Sequence, residues 1–285
     1  MSAVPTILVA GATGKVGREL VKLLLDRGQA VRALTRHPET ARLPGGVEVV
    51  RGDLDDAEAI ERALAGIDRM FFMGPDTSLP AQAANLARAA RSSPLRHVVM
   101  LSSLAAEMTD SNPLALEHRE AERIIEASGF DWTLLRGGAF SSNTLGWAQA
   151  IRNEATVRCV LRNIPYAPID PYDIACVAAE ALTATGHIGQ TYALTGEESI
   201  TPEQQTQVLA TLLSRPLRFV ELSDDEARAA FRRVYANQAE ADGKLRALRS
   251  PEAPWNFPRP DTRRITGQRS RTYQEWAQRN IDAFR

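Results

Sequence analysis

The chain has 285 residues, 44% of them apolar and 24% charged, with Gly and Pro near their usual share, which excludes disordered, collagen-like and low-complexity classes. A formal net charge of −1 excludes a bulk field that would recruit nucleic acid or an anionic membrane. Two cysteines, Cys159 and Cys176, make no disulfide framework, and the apolar run at residues 7–10 is too short for a leader or a membrane span.

In chain order, six short apolar runs cover residues 6–10, 30–34, 47–50, 69–73, 97–101 and 132–135. Their length and lack of alternation predict strands buried on both faces. Helical patterns fall between them, at 18–27 and roughly at 56–65, 80–92 and 114–128. Strand–helix alternation of this kind predicts a parallel sheet with right-handed crossovers. The alternation breaks after residue 140. Residues 141–152 read as helical and 157–170 as short extended pieces. A helix over 171–184 opens on Asp170-Pro171, and Asp170 and Asp173 suit capping and the helix dipole. Further elements follow: a strand at 190–194, a helix at 201–213, a short strand at 217–222, helix over 223–249, an irregular Pro-rich linker at 251–260, and an amphipathic helix at 273–284. The expected fold is α/β: a Rossmann-type doubly wound parallel sheet over residues 1–140, with a smaller substrate-side lobe over 141–285 that lends strands to the main sheet.

Gly11-Ala-Thr13-Gly14-Lys15-Val16-Gly17 lies where a phosphate-binding turn belongs, between the first strand and the first helix. The first glycine allows a tight turn, the second lets backbone approach a pyrophosphate, and the third lets helix and sheet pack closely. An Asp or Glu ending the second strand would accept from a ribose 2′-hydroxyl. Thr35-Arg36 stands there instead, and a guanidinium grips a 2′-phosphate, so NADP(H) is expected over NAD(H). Lys15 either adds a second charge to that phosphate or is a solvated helix residue. Asp53 and Leu54, after the third strand, are expected at the adenine. Met73, Gly74 and Pro75, after the fourth, are expected at the nicotinamide ribose, with Ser102 ending the fifth strand beside them.

The glycine motif, the stretch Ser128-Gly-Phe-Asp-Trp-Thr-Leu-Leu-Arg-Gly-Gly-Ala-Phe140 and Asn143 together resemble the NmrA-like branch of atypical short-chain dehydrogenases. Asp170-Pro-Tyr-Asp173, Gly189-Gln-Thr-Tyr-Ala-Leu-Thr195 and Thr272-Tyr-Gln-Glu-Trp276 extend the resemblance over most of the chain. It implies an enzyme similar to NADPH quinone reductases and triphenylmethane reductases. Two alternatives on the same fold are a non-catalytic NADP(H) sensor and a non-redox isomerase, epimerase or cyclase.

Most short-chain dehydrogenases resemble one another in a Tyr-x-x-x-Lys pair that moves the substrate proton. Here the first tyrosine is Tyr166, and no lysine lies between Lys22 and Lys244. Isoflavone-reductase-like members carry a lysine near the start of the helix before the sixth strand, and the resemblance puts His118 at that position. His118 is therefore either a catalytic group or an exposed residue on a polar face with Glu117, Arg119, Glu120 and Glu122. Hydride transfer to a quinone-like or conjugated small molecule suits this gap, since orientation does most of the work. Candidate walls of an apolar cleft are Met73, Pro75, Phe140, Trp147, Tyr166 and Ile169, with Asn143 able to grip a carbonyl; for the apolar members, core packing is the alternative. No metal-ligand spacing is present. The expected protein is cytoplasmic, a monomer or homodimer, acting on a small molecule with no nucleic-acid or membrane partner.

Overall fold

A computed structural model describes residues 6–75, 78–108, 113–231 and 238–285. Strands β1 (Thr6–Ala10), β2 (Ala30–Thr35), β3 (Glu48–Arg51), β4 (Arg69–Phe72), β5 (His97–Ser103), β6 (Asp131–Gly137) and β8 (Gln190–Leu194) form one parallel sheet in the order β3-β2-β1-β4-β5-β6-β8. Two further strands, β7 (Thr156–Cys159) and β9 (Arg218–Glu221), pair in parallel as a small separate sheet.

Side-chain alternation along the central strands fills two cores. Ile7, Val9, Phe71 and Val99 face one side, where α1 (Lys15–Asp26) and α6 (Pro171–Thr183) pack. Leu8, Ala10, Met70, Phe72, Val98 and Met100 face the other, beneath α2 (Ala57–Ala63), α3 (Leu79–Ala90) and α4 (Pro113–Glu126). Both faces being covered explains the unbroken apolar runs. The third strand departs from that expectation: β3 lies at the sheet edge, and its side chains are exposed or half-buried.

The second half completes the first. β8 adds the last strand beside β6, and α6 packs on α1, where Arg27 bridges to Glu180 at 2.6 Å. Asp170 caps α6, accepting from the Tyr172 N–H at 2.9 Å, and Asp173 accepts the Arg271 N–H at 2.7 Å. Of the remaining elements, α10 (Asp261–Thr266) packs on α6 and β8 of the main sheet. α5 (Ala148–Glu154), α7 (Pro202–Leu213) and α11 (Tyr273–Arg279) share a core with β7 that centres on Ile151, Val157, Leu209, Tyr273, Trp276 and Phe284. α8 (Asp224–Phe231) and α9 (Gln238–Arg249) pack on each other, with Ala227 and Leu245 buried together with Val160 and Leu161. Capping boxes start α7 (Thr201 with Gln204) and α11 (Thr272 with Glu275).

Several boundaries differ from expectation; α11, expected to run to 284, ends at Arg279 before a 3-10 turn over Ile281–Phe284. α1 begins three residues earlier than its apolar spacing suggests. Residues 141–147 form a tight 3-10 turn before α5. α10 follows the Pro-rich linker with too few apolar residues to show a period. Among the described residues, no helix is long and apolar enough to cross a membrane.

Candidate active site

Strand order reverses direction on the two sides of β1 and β4, and there a crevice opens at the carboxyl ends of the strands. β1 runs into Gly11, whose φ of +68° belongs to the left-handed region. The turn closes with the Gly14 N–H donating to the Gly11 carbonyl at 2.9 Å. A Cβ at Gly17 would lie 2.2 Å from that carbonyl oxygen, so only glycine lets α1 meet the turn this closely. No side chain caps α1 and no acidic residue occupies its first turn. Its amide groups and the positive end of its dipole are therefore available to an anion. A dinucleotide pyrophosphate fits this cradle.

From the turn a cavity of about 940 Å³ extends along the strand ends. Its nucleotide end is lined by Gly11, Thr13, Thr35, Arg36, Asp53, Leu54, Met73, Gly74, Pro75 and Ser102, all but Thr35 expected from sequence. Arg36 is exposed there, and no carboxylate lies within ion-pair distance of it among the described residues. Arg51 stiffens the rim, donating to the Arg36 carbonyl at 2.8 Å and to Glu39 at 2.8 Å. The exit of β3 is tied to α3: Gln82 donates to Asp55 at 2.8 Å and Asn85 to the Leu54 carbonyl at 3.1 Å.

Gly14, Lys15, Val16 and Gly17 stand behind this wall and not on it. Val16 is buried against the sheet, since the helix must pack there. Lys15 does not join Arg36. Its Nζ donates to the Ser142 carbonyl at 3.1 Å, tying the glycine turn to the 3-10 turn at 141–147, and partial burial lowers its pKa.

Phe140, Asn143, Trp147 and Tyr166 line the cavity's middle, as expected. The Tyr166 hydroxyl donates to Gln205 Oε1 at 2.9 Å, and burial pushes its pKa upward, so it stays protonated. Ile169 is a correction. Its side chain is wholly buried with Val99, Leu135 and Ile174 on the α6 side of the sheet, in the core that Phe140, its bridge partner, packs against from the cavity side.

His118 also departs from its bland reading. It is 4% exposed and lines the cavity, because α4 turns this face to the sheet and leaves Glu120 exposed and Glu117 half-buried. Its Nδ1 lies 3.2 Å from Ser102 Oγ, which donates to Glu122 Oε1 at 2.5 Å. Arg136 closes on the same carboxylate with two hydrogen bonds, of 3.0 and 2.7 Å. Sequence analysis placed Glu122 among solvated residues. The signal that would have found it is the four-residue spacing from His118, which puts both on one helical face.

Beyond Tyr166 the cavity continues between Val160, Leu161, Ile164, Leu222, Phe231 and Leu248. This apolar end was not anticipated, since its walls come from three separate segments. Arg158, paired with Glu154 at 2.6 Å, and Cys159 border it.

Residues 11–185 match the model of a family described as NAD(P)H-binding. The chain is 40% identical over 280 residues to the (4-alkanoyl-5-oxo-2,5-dihydrofuran-3-yl)methyl phosphate reductase of Streptomyces griseus, spanning 98% of this chain and 99% of that protein. It is 32% identical over 284 residues to an NAD(P)H azoreductase of Xenophilus azovorans, spanning 98% and 99%. Among solved structures, an NADPH complex of an Escherichia coli quinone oxidoreductase shares the fold with a TM-score of 0.82 at 24% identity, over 96% of this chain and 99% of that one.

Proposed function

The chain belongs to the NAD(P)H-binding family whose model it matches, and from that premise we propose that it is an NADPH-dependent reductase of conjugated carbonyl compounds bearing an apolar substituent. The observation that carries this reading is the continuous cavity, which joins the glycine turn to an apolar chamber and presents His118 between them. The similar reductases from Streptomyces griseus and Xenophilus azovorans support the reaction class.

The bound cofactor supplies a hydride, and the residues of this chain do the rest. The glycine turn and the uncapped start of α1 hold the pyrophosphate. Arg36 grips the 2′-phosphate with its fork of donors, favouring NADPH over NADH. Asp53 and Leu54 border the adenine, and Met73, Gly74 and Pro75 the second ribose. Phe140 and Trp147 exclude water from the acceptor's flat face, and the Asn143 amide donates to its carbonyl oxygen. Reduction places negative charge on that oxygen. His118 delivers the proton there from Nε2, and water reprotonates the ring. No tyrosine–lysine pair is needed, because a conjugated acceptor spreads the developing charge.

The apolar chamber sets the substrate class. A chain attached to the conjugated ring fits between Leu161, Ile164 and Leu248, and each buried methylene is worth about 0.8 kcal/mol, about fourfold in kcat/KM. The test is NADPH absorbance with quinones, enones and butenolides carrying tails of increasing length. Turnover that rises with tail length and then levels off is expected. Tight NADPH binding with no oxidation by any acceptor would overturn the reductase reading, and indifference to tail length would overturn the assignment of the chamber.

A further inference from the structure

Behind His118 lie three polar side chains that hydride transfer itself does not require: Ser102, Glu122 and Arg136. Ser102 is 5% exposed and Glu122 4%. They converge from three elements. α4 carries His118 and Glu122 one turn apart, while β5 and β6 carry Ser102 and Arg136, which are register partners across the two strands. Arg136 Nε donates to Glu122 Oε1 at 3.0 Å and its Nη2 to Oε2 at 2.7 Å.

The protons in this chain of contacts can be assigned. A hydroxyl has one proton to give. That of Ser102 goes to the carboxylate oxygen at 2.5 Å, the shorter contact and the charged acceptor. The Ser102 oxygen is then the acceptor toward His118 at 3.2 Å. Nδ1 of His118 therefore carries the hydrogen, and Nε2 is the ring nitrogen left to exchange a proton.

We infer that Glu122, clamped by Arg136 and acting through Ser102, is a positioning residue that fixes the tautomer and orientation of His118. The inference rests on the reading of His118 as the proton donor given above. A buried ion pair between Glu122 and Arg136 would satisfy both charges alone; the Ser102 link is what a purely structural pair does not need.

His97, a second buried histidine, is held differently: its Nε2 lies 2.9 Å from Thr133 Oγ1, and that hydroxyl donates to the His187 backbone carbonyl at 2.7 Å. Burial first and the Arg69 charge second push His97 down to about 4, against the opposing field of Asp131. The other charged groups around the network are Glu107 and Glu126, whose fields add to Glu122 in holding Arg136 protonated, Arg259, paired with Glu107 at 3.1 Å, and Arg119, next to His118 on α4 and bonded to the Met108 carbonyl.

Through a turnover the acceptor gains hydride on carbon and a proton on oxygen. The proton leaves Nε2 of His118 and is returned by water, while Ser102 and Glu122 keep their protonation.

The test uses the full chain with NADPH and the best acceptor from the panel. Glu122→Gln is expected to lower kcat about tenfold or more, with acceptor KM and NADPH Kd within about twofold of wild type. In nitrogen NMR of the neutral ring, wild-type His118 should show the Nδ1–H tautomer and Glu122→Gln a mixture of the two tautomers, a readout independent of activity, and Glu122→Asp should restore part of both kcat and tautomer preference. Where Glu122→Gln does not fold by circular dichroism, Ser102→Ala takes its place. It removes the link and leaves the ion pair, and the same loss of tautomer preference is expected. His118→Ala separates the two claims. If it turns over normally, the proton-donor reading falls, and the inference with it. If it is slow while Glu122→Gln keeps wild-type kcat and the wild-type His118 tautomer, the inference about Glu122 alone is overturned.

Discussion

In the proposed function, cofactor choice turns on Arg36. It stands exposed at the end of β2, where a carboxylate would have selected the unphosphorylated ribose, and Arg51 holds its backbone in place. Hydrogen bonds to a charged partner are worth about 1.5–3 kcal/mol, so Arg36→Ala should raise the KM for NADPH about tenfold to a hundredfold. NADH should change by no more than about twofold; steady-state kinetics with both cofactors checks this. The exposed place of Arg36 on the cavity was legible because it depends only on where one strand ends. Lys15 was half legible: its place beside the turn was clear, but the backbone carbonyl of Ser142 that holds it lies 127 residues away. Ile169 misled because an apolar residue beside a cleft looks the same in sequence whether it faces the cleft or the core.

At the level of elements, two buried titratable groups tie strands and helices together with opposite pH dependence. His97, between β5 and β6, is pushed down to about 4 by burial first and by Arg69 second. Its stabilising contribution is full above about pH 6.5 and is lost as pH falls through about 4. Asp173, in the first turn of α6, is pushed up to about 7, mainly by burial. Its contribution is full below about pH 4 and is lost as pH rises through about 7. The two slopes oppose each other across the same window, each worth on the order of 1–3 kcal/mol. His97→Gln should therefore make Tm fall as pH rises from 4 to 7, and Asp173→Asn should make it rise; calorimetry across that range checks both. The strands themselves were legible because a sheet covered on both faces leaves unbroken apolar runs. β3 was placed correctly but misjudged in burial, since edge position is a property of the whole order and not of the run. α10 was missed because six residues after a proline-rich linker carry no measurable period. The link from His118 to Glu122 was visible as spacing, yet only the docking of α4 decides that this face turns inward.

On the scale of the whole molecule, the cavity draws its walls from both halves of the chain: strand ends β1 to β6 on one side, and segments 158–166, 222–231 and 248–256 on the other. A ligand that fills it therefore bridges the sheet and the smaller lobe. NADPH at a hundredfold excess over its Kd should stabilise the fold by about 2.7 kcal/mol. Thermal unfolding should show one concerted shift in Tm that Arg36→Ala largely abolishes; separate transitions, with only one displaced, would show that the halves respond independently.

The place of β8 and α6 bears on how the protein is made. While only residues up to 140 have been synthesised, β6 is an open edge and the outer apolar face of α1 has nothing to lie on. Both wait for α6 and β8 at 171–194, so the sheet stays unfinished until well into the second half of synthesis. The nascent protein carries a sticky parallel edge until its second half emerges, and this is the interval in which a chaperone, or premature pairing with another copy, would find it.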